Sequence, residues 1–502
     1  MTRLRVAVIV GDTRVPAWVT ALIERLGPPA FDVQLYVDSM EHRHASPWAY
    51  RAYEWLDRRV FADARDALAP VALGGALQPL EALDDADVAV HLGYADASAV
   101  AGATRYGAWT LSHVEEEQCR NTPALFWEMY EGCAYETTVA AHLPGGGCRV
   151  VYSSRGAPDR ASLHRSRNHA YWKASAAIAR ALHYLQQRGR TYLDSRPQQD
   201  EAASSTEGGP RVPTVLRHAG AVWAGVLARR LRKVAWREEW FVAARPVGAD
   251  GFRDFEAAPG EHLADPFAVE YDGETYVFVE RIDRHRGRAA IAYIRLDGSA
   301  RPLGPPITVL APEYHVSYPF VFRRDRDVYM IPESLENETV DLYRASDFPS
   351  RWVHEARLLS GIRAVDATLF DDGSRLWLFV NVAEPGASIN DELHLFTAPE
   401  LRGPWVSHPE NPIISDVGRA RPAGRIFRHD GELIRPSQDC FSAYGRAVVL
   451  NRIDVLTATD YRETPIGRIE PDWAPRLHGT HTYNSTGRFE VRDGFRFALR
   501  YR

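Results

Sequence analysis

The sequence predicts a multidomain protein in which an α/β domain of the Rossmann type precedes an all-β five-bladed β-propeller. Three observations predict this fold: strand and helix patterns that alternate before residue 193, a polar run over 193–212, and a repeated two-strand pattern after it. The chain has 502 residues, of which 45% are hydrophobic and 25% charged. This composition supports two or three cores of ordinary domain size.

In the first part of the chain, short β-branched runs alternate with helical stretches. The runs 5–10, 33–37 and 88–92 predict strands, and the stretch 16–26 predicts a helix between the first two. This order is typical of a parallel sheet built from βαβ units. We therefore predict an α/β domain over residues 1–192.

Residues 193–237 predict a linker followed by a basic amphipathic helix. The linker has no apolar period, whereas from 213 to 237 apolar residues recur every three or four positions and form one stripe. The cationic residues of this helix are Arg217, Arg229, Arg230, Arg232, Lys233 and Arg237. Two interpretations stay open: the helix lies on an anionic membrane surface, or it braces the two domains while its basic end complements the helix dipole.

The region 238–502 repeats one pattern five times: a small or polar start, an apolar strand, an Asp-Gly turn or its equivalent, and a second apolar strand. The copies begin at Asp265, Tyr318, Asp366, Arg421 and His481. In the last copy, Asp493-Gly494 is expected to form the turn. A period of about 48 to 60 residues is typical of a four-stranded propeller blade, so we predict five blades.

Function is predicted at the axial funnel of the propeller, because the residues that open the innermost strand of each blade point into it. Charged groups can bind sugar hydroxyls, aromatic rings can stack on sugar faces, and paired carboxylates supply acid/base chemistry at an anomeric carbon. The predicted catalytic residues are Asp265, Glu333 and Asp366. The predicted substrate-binding residues are His315, Tyr318, Arg421, Gln438, Asp439, His481 and Asn484.

The candidate carboxylates also have structural interpretations. Asp265 and Asp366 are suited to hydrogen-bond the backbone of a turn, and Glu280 is suited to pair with Arg281 at the rim. Asp recurs at one register in the first and third blades, while the other blades carry Tyr, Arg and His there. This pattern favours function for at least some of these positions.

Residues 238–502 resemble the five-bladed propeller domain at the N-terminus of plant glucosamine inositolphosphorylceramide transferases and of bacterial proteins named after them. The matching stretches are Tyr318-Pro319-Phe320-Val321-Phe322, Tyr329-Met330-Ile331-Pro332-Glu333-Ser334, Asp366-Ala367-Thr368-Leu369-Phe370, Arg421-Pro422-Ala423-Gly424-Arg425 and His481-Thr482-Tyr483-Asn484. A more distant resemblance to arabinanases, xylosidases and invertases implies that Asp265 is a base or nucleophile and Asp366 an auxiliary carboxylate. Arg421 stands where those hydrolases carry their general-acid Glu, so Glu333 or Asp439 would have to supply the acid.

Residues 1–190 resemble the formyltransferase fold that uses formyl-tetrahydrofolate. The matching stretches are Arg5-Val6-Ala7-Val8-Ile9-Val10 into Val15-Pro16-Ala17-Trp18, Thr110-Leu111-Ser112-His113 and Phe126-Trp127-Glu128-Met129-Tyr130-Glu131-Gly132. The resemblance implies a catalytic Asn, His and Asp; His113 matches, but Leu111 stands at the Asn position and the loop 144–148 has no carboxylate. We therefore expect this domain to bind a ligand or to support the propeller.

Net charge and cysteine content indicate which partners and which cellular compartment to expect for the protein. A net charge of -6 makes nucleic acid an improbable main partner. Because no stretch suits a signal peptide or a membrane span, we expect a cytoplasmic protein, with peripheral contact at the inner membrane face through helix 213–237. Cys119, Cys133, Cys148 and Cys440 lack C-x2-C spacing and are expected to be reduced. No metal is predicted, and no cofactor is identified.

These observations favour a carbohydrate-active enzyme. It would be a glycosyltransferase or transglycosylase in the biosynthesis of a surface polysaccharide, a glycolipid or a glycosylated metabolite. Its partners would be a sugar donor and a glycan, lipid-linked or small-molecule acceptor. Two alternatives stay open: a non-catalytic glycan-binding module, and a formyl- or acyl-transferase whose propeller provides specificity.

Overall fold

The computed structural model describes residues 3–38, 47–93, 95–113, 124–199, 210–255, 257–283 and 287–499. The chain forms two compact units. The first comprises Met1–Arg229 with Glu384–Ser388, and the second comprises Arg230–Ala383 with Ile389–Arg502.

The first unit is an α/β domain. Its elements in chain order are β1 (Leu4–Val10), β2 (Arg14–Pro16), α1 (Ala17–Arg25), β3 (Phe31–Val37), α2 (Trp48–Val60), β4 (Pro70–Ala72), β5 (Gln78–Pro79), β6 (Val88–Leu92), α3 (Ala97–Ala101), β7 (Ala108–Ser112), α4 (Phe126–Glu131), β8 (Tyr135–His142), β9 (Cys148–Gly156), α5 (Leu163–Arg188), α6 (Arg190–Asp194), β10 (Gln198–Gln199) and most of α7 (Val212–Ala235), whose residues from Arg230 on belong to the second unit. Eight strands form one sheet in the order β10-β9-β8-β7-β6-β1-β3-β5.

The sheet of the first unit is mixed. Strand β1 pairs in parallel with β3 on one side and with β6 on the other, and β7 pairs in parallel with β6. Strand β1 is buried along almost its whole length. Strands β8 and β9 instead form an antiparallel hairpin across the turn 143–147, and β8 is antiparallel to β7. The predicted strands, their parallel pairing and the first helix are confirmed, and the glycine-rich turn 143–147 adds an antiparallel hairpin that was not predicted.

Helix α7 confirms the predicted amphipathic helix, and its apolar stripe is only partly buried. Val215, Val222 and Val226 enter a core cluster of the first unit, whereas Leu216 and Leu227 face solvent. Residues 200–209 of the predicted linker lie outside the described residues, as does Cys119. Cys440 is a free, buried cysteine.

The second unit confirms the predicted five-bladed propeller. Its strands are β11 (Trp236–Pro246), β12 (Arg253–Asp254), β13 (Glu261–Tyr271), β14 (Glu274–Asp283), β15 (Arg288–Leu296), β16 (Ile307–Leu310), β17 (Ser317–Arg324), β18 (Asp327–Glu333), β19 (Thr339–Asp347), β20 (Arg351–Ser360), β21 (Ala364–Asp371), β22 (Leu376–Val382), β23 (Glu392–Ala398), β24 (Val406–Ser407), β25 (Ile414–Ser415), β26 (Phe427–His429), β27 (Glu432–Asp439), β28 (Ala447–Leu456), β29 (Tyr461–Ile469), β30 (Tyr483–Ser485) and β31 (Phe489–Leu499).

Four blades are built from consecutive strands, β13 to β16, β17 to β20, β21 to β25 and β26 to β29. Two of their predicted Asp-Gly turns are confirmed. At Asp272-Gly273 and at Asp430-Gly431 both residues have positive φ, between +49° and +83°. This is the backbone of a two-residue hairpin turn that Asp and Gly favour.

The fifth blade combines strands from both ends of the propeller sequence, in the order β12-β11-β31-β30. Strand β11 pairs with β31 from Trp236–Leu499 to Pro246–Phe489. The predicted turn at Asp493-Gly494 is therefore wrong, since both residues lie inside β31 and the chain turns at 486–488 instead. Asp493 is fully buried and uses its carboxylate on backbone N–H groups of the same blade.

Among the described residues, no helix is long and apolar enough to cross a membrane.

Candidate active site

The same β-bulge recurs in the inner strands of the first three consecutive blades. Asp265, Tyr318 and Asp366 each have a positive φ, between +42° and +54°, and the strand register shifts at each of them. Non-glycine residues rarely adopt this backbone, and bulges of this kind redirect a side chain. The equivalent positions of the first three copies therefore share one uncommon backbone conformation, and that their side chains point into the funnel stays a prediction.

Asp366 accepts hydrogen bonds from two buried side chains of the fourth blade. Arg421 Nε lies 2.6 Å and Gln438 Nε2 lies 2.9 Å from Asp366 Oδ2. The Arg421 guanidinium also donates to Asn390 Oδ1 at 3.1 Å and lies 3.6 Å from Glu333 Oε2. The structure thus brings together four of the predicted residues. Glu333, Asp366 and Arg421 come from three different blades, and Gln438 comes from the same blade as Arg421.

Burial changes the acidity of the Glu333 carboxyl. Burial, reinforced by the nearby charge of Asp366, raises the pKa of Glu333 well above its usual range. Among the described residues, Glu333 Oε2 has no hydrogen-bond partner. A carboxyl whose pKa is raised, close to a second carboxyl group that is paired with Arg421, is an arrangement suited to acid/base chemistry.

A second cluster joins the first blade to the fifth. His481 Nδ1 lies 2.5 Å from Asp493 Oδ2, and Asp493 Oδ1 accepts the N–H groups of His481 and Thr482. The Thr482 hydroxyl donates to Asp265 Oδ1 at 2.7 Å, and the backbone N–H of Tyr318 donates to Asp265 Oδ2 at 3.2 Å. Both carboxylate oxygens of Asp265 therefore have protein partners.

The pKa values of Asp265 and His481 in this cluster are both raised. Burial raises the pKa of Asp265 to about 7. Burial lowers the pKa of His481, but the carboxylates of Asp493 and Asp265 outweigh it and raise the pKa of His481 to about 9. At neutral pH His481 is a cation, and Asp265 is divided between its two protonation states.

We expect the stability of the protein to fall as pH rises from 6.5 to 9. In this window the folded protein keeps a proton on His481 that the unfolded chain has lost, since the ordinary pKa is 6.5. The stabilisation is fully present below pH 6.5 and is lost as pH rises through 9, about 3 kcal/mol in all. Urea unfolding across this range measures it. In His481→Gln that decline should vanish, and an unchanged decline would contradict the assignment.

Asp265, His481 and Asp493 are also the group of described residues that could hold a metal ion, since their ligand atoms lie within 4.8 Å of one another. The hydrogen bonds fit an ion pair better than a metal. His481 Nδ1 lies only 2.5 Å from Asp493 Oδ2, the distance of a direct ion pair, and both Asp493 oxygens accept backbone N–H groups.

Aromatic rings flank the two clusters. Tyr444, 44% exposed, lies 4.9 Å from the Arg421 guanidinium and 5.2 Å from the His481 ring. The Trp240 ring stacks on the His481 ring, with 4.3 Å between the two ring centroids. These rings can pack against the apolar face of a sugar. Neither ring was predicted from the sequence, because neither lies at the repeated start of a blade.

His315 and Glu280 lie near Asp265 of the second cluster, since the charges of Glu280 and His315 both interact with Asp265 or with each other. His315 Nε2 is 3.2 Å from Glu280 Oε1, and this hydrogen bond raises the pKa of His315. The expected pairing of Glu280 with Arg281 is wrong, since Arg281 binds Glu261. Neighbouring residues of a strand point to opposite faces, which separates these two side chains.

The polar groups of three predicted binding residues form hydrogen bonds or ion pairs with other groups of the protein. The Asn484 amide donates to Pro266 O and accepts the Arg425 N–H, both at 2.7 Å. Asp439 pairs with Arg468. The Tyr318 hydroxyl lies 2.9 Å from Thr368 Oγ1 and accepts the Gly424 N–H at 2.7 Å. That these residues contact substrate stays a prediction.

In the first unit, His113 is buried beside Tyr171, and its Nδ1 lies 3.0 Å from Thr137 Oγ1. Burial lowers the pKa of His113 to about 3, so this imidazole is neutral. A cavity of about 520 Å³ lies in the same unit, and Tyr171 and Arg167 are among its lining residues. The formyltransferase resemblance of this unit stays a prediction.

The fold and the clusters define a class: a five-bladed β-propeller with buried, carboxylate-rich clusters contributed by several of its blades. Residues 234–484, half of the chain, match the family model described as "Glucosamine inositolphosphorylceramide transferase 1, N-terminal". The chain belongs to this family.

The chain is similar in sequence to part of each of two plant proteins. The chain is 34% identical over 218 residues to glucosamine inositolphosphorylceramide transferase 1 of Oryza sativa subsp. japonica, which covers 41% of this chain and 28% of the relative. It is 33% identical over 241 residues to the protein of that name from Arabidopsis thaliana, 46% of this chain and 31% of the relative. The chain thus spans less than a third of these curated relatives.

Solved structures of glycoside-cleaving enzymes show a weak likeness. An exo-β-1,3-galactanase from Clostridium thermocellum matches with a TM-score of 0.35 and 12% identity, over 51% of this chain and 62% of that one. The RS223 β-xylosidase matches with a TM-score of 0.33 and 15% identity, over 46% and 84%. Likeness at this level bears on no residue's role.

Proposed function

We propose that the chain is a glycosyltransferase-type enzyme that transfers a sugar to a lipid-linked acceptor at the inner end of its propeller blades. The observation that carries the proposal is the buried Glu333 carboxyl, whose pKa is raised well above its usual range and which lies 3.6 Å from the Arg421 guanidinium that pairs with Asp366. The names of the relatives, which are transferases for inositolphosphorylceramide, support the reaction class and the lipid-linked acceptor. We place the protein in the cytoplasm, at the inner face of a membrane.

The two clusters would divide the proton transfers. Glu333 would donate its proton to the oxygen that leaves the anomeric carbon as the donor bond breaks. Asp265, whose pKa is about 7, would accept the proton of the acceptor hydroxyl as the new glycosidic bond forms. Asp366 would hold Arg421 in place, and the rings of Tyr444 and Trp240 would pack on the sugar.

A second candidate is a glycan-binding module without catalysis. It is favoured by the low exposure of Asp265 and Asp366, 5% and 2%, and by the protein hydrogen bonds that their oxygens accept. A binding module would keep Arg421 and the aromatic rings and would tolerate the loss of either carboxylate. The two functions therefore differ in what carboxylate substitutions do to turnover.

We expect Glu333→Gln and Asp366→Asn to bind a sugar donor and to lose turnover by about a hundredfold. Each substitution keeps the side-chain shape and removes the proton donor or the paired charge. The assay offers nucleotide-linked glucosamine and inositolphosphorylceramide to the full chain, with transfer followed by mass spectrometry and donor binding by calorimetry.

Asp341→Asn is the matched control, since Asp341 is equally buried but pairs with His354 and Arg357 on the outer part of its blade. This variant should keep its turnover. Donor binding without turnover by the wild type would select the binding module. Absence of both binding and turnover across a panel of nucleotide sugars would contradict both functions.

A further inference from the structure

The first unit contains a cavity of about 520 Å³ whose walls come mainly from helices α2 and α5. Arg51, Glu54, Trp55 and Arg58 of α2 line it, and their spacing places them on one side of that helix. Every residue that lines the cavity belongs to the first unit. Its volume lies within the range of ligand pockets in proteins, roughly 300 to 1,000 Å³.

Buried hydrogen bonds join the two helices at the wall of the cavity. Arg167 of α5 is 7% exposed, and its guanidinium donates to Glu54 Oε1 and to the Tyr50 hydroxyl of α2, both at 2.6 Å. Asp57 of α2 is 2% exposed and accepts the backbone N–H of His164 of α5 at 2.7 Å. The protein itself therefore holds both walls in place, so little ordering is required when a ligand binds.

Two polar groups at the cavity are not used in this way. The Arg51 guanidinium forms no ion pair, and the Tyr171 hydroxyl forms no hydrogen bond, with any residue that the structure describes. The Tyr171 ring is fixed by contacts with the rings of Trp18, at 5.2 Å, and His113, at 4.4 Å. The cavity thus offers a ligand one guanidinium and one hydroxyl whose ring is held in position.

The charges of the lining residues leave Arg51 as the uncompensated cation. Arg58 and Arg167 each form an ion pair with a carboxylate. Asp57 lies at the N-terminal end of α5, where the partial positive charge of the helix compensates it. Burial lowers the pKa of His164, so this side chain adds no charge near neutral pH. An anionic group of a ligand would therefore match the cavity, because a guanidinium binds phosphate or carboxylate well.

The indole of Trp55 gives the cavity an exposed aromatic surface. Trp55 is 63% exposed although it lines the cavity, and together with Arg58 it also lines an adjoining depression. The Arg59 guanidinium lies 5.9 Å from the centroid of the indole ring. Planar rings stack on such a surface, and a nearby cation favours ligands that are also negatively charged.

We propose that this cavity binds a small molecule in which an aromatic ring carries an anionic group. The ring would stack on Trp55, the anion would pair with Arg51, and the Tyr171 hydroxyl would hydrogen-bond to a polar atom of the ligand. The anion is a phosphate or a carboxylate, since both suit a guanidinium. This inference goes beyond the proposed transfer reaction and does not depend on catalysis in the propeller.

The test is isothermal titration calorimetry of the full chain with two probes that join a ring to an anion, adenosine monophosphate and naphthoate. Adenosine and naphthylmethanol, which lack the anion, and ribose phosphate, which lacks the ring, should each bind at least about tenfold more weakly. Binding of adenosine monophosphate alone supports the proposal with phosphate as the anion. Binding of naphthoate alone supports it with carboxylate.

Arg51→Gln and Trp55→Ala should each weaken the binding of an anionic probe by about tenfold. Both side chains are exposed, so thermal unfolding of these variants should match that of the wild type. Trp48→Ala is the matched control. Trp48 lies on the same helix and is 62% exposed, but it is not among the residues that line the cavity. This variant should bind the probe as the wild type does.

Three results would overturn the proposal. The first is that neither anionic probe binds. The second is that the uncharged analogue binds as tightly as its anionic partner, because Arg51 would then have no part in recognition. The third is unchanged binding in both Arg51→Gln and Trp55→Ala, because the probe would then occupy another part of the protein.

Discussion

Replacing Arg421 with Met is expected to destabilise the propeller by about 3 to 5 kcal/mol and to abolish binding of the sugar donor. Arg421 is 5% exposed and is the cation that faces both Asp366 and Glu333. Without it, the Asp366 carboxylate would be left buried and uncompensated. Urea unfolding followed by near-ultraviolet circular dichroism measures the stability of the full chain, and calorimetry measures donor binding.

Arg435→Met separates the two effects. Arg435 is 1% exposed and forms two 2.7 Å hydrogen bonds with the buried Glu463 in the same blade. Its loss should cost a similar free energy of unfolding and leave donor binding intact at a temperature where both variants are folded. If both variants lose binding alike, Arg421 supports the fold and has no separate part in the site.

Gly424→Ala is expected to lower the stability of the propeller by about 4 kcal/mol. A Cβ at Gly424 would lie 2.0 Å from the backbone oxygen of Tyr483, and φ is +134°. The Gly424 N–H also donates to the Tyr318 hydroxyl, so relief of the clash would disturb the contact between blades. Thermal unfolding of the full chain measures the loss.

Gly431→Ala is the control for backbone strain alone. Its φ is +83°, and no atom lies within 4 Å of the added Cβ. We expect a loss of about 1 kcal/mol, the ordinary cost of a left-handed residue with a side chain. Equal losses at the two glycines would show that the close approach to Tyr483 is unimportant.

The fold was predictable where its signals are local. The Asp272-Gly273 and Asp430-Gly431 turns require positive φ, which their residue types announce. Strand β11 was not predicted, because it follows α7 without a break and its partner β31 lies at the other end of the propeller sequence. Pairing over that separation leaves no pattern within a short window.

The candidate site was predictable to the extent that it follows the repeat. Asp366 and Arg421 begin their copies and form an ion pair. Asp493 was missed because Asp followed by Gly is also the commonest sign of a hairpin turn, although here its carboxylate binds His481. Tyr444 lies in the connection between β27 and β28. No local sequence pattern predicts where its ring lies, because that position is set by contacts that form only in the folded chain.

The fifth blade also governs when the propeller can finish folding. Its long central pair, β11 with β31, joins residues 236–246 to 489–499. On the ribosome, β11 emerges early and must wait for β31 while the other four blades are made. Throughout that interval the ring is open, and its unpaired strand edges can bind other chains. Each nascent molecule is therefore most prone to aggregate in the seconds before its last strand emerges.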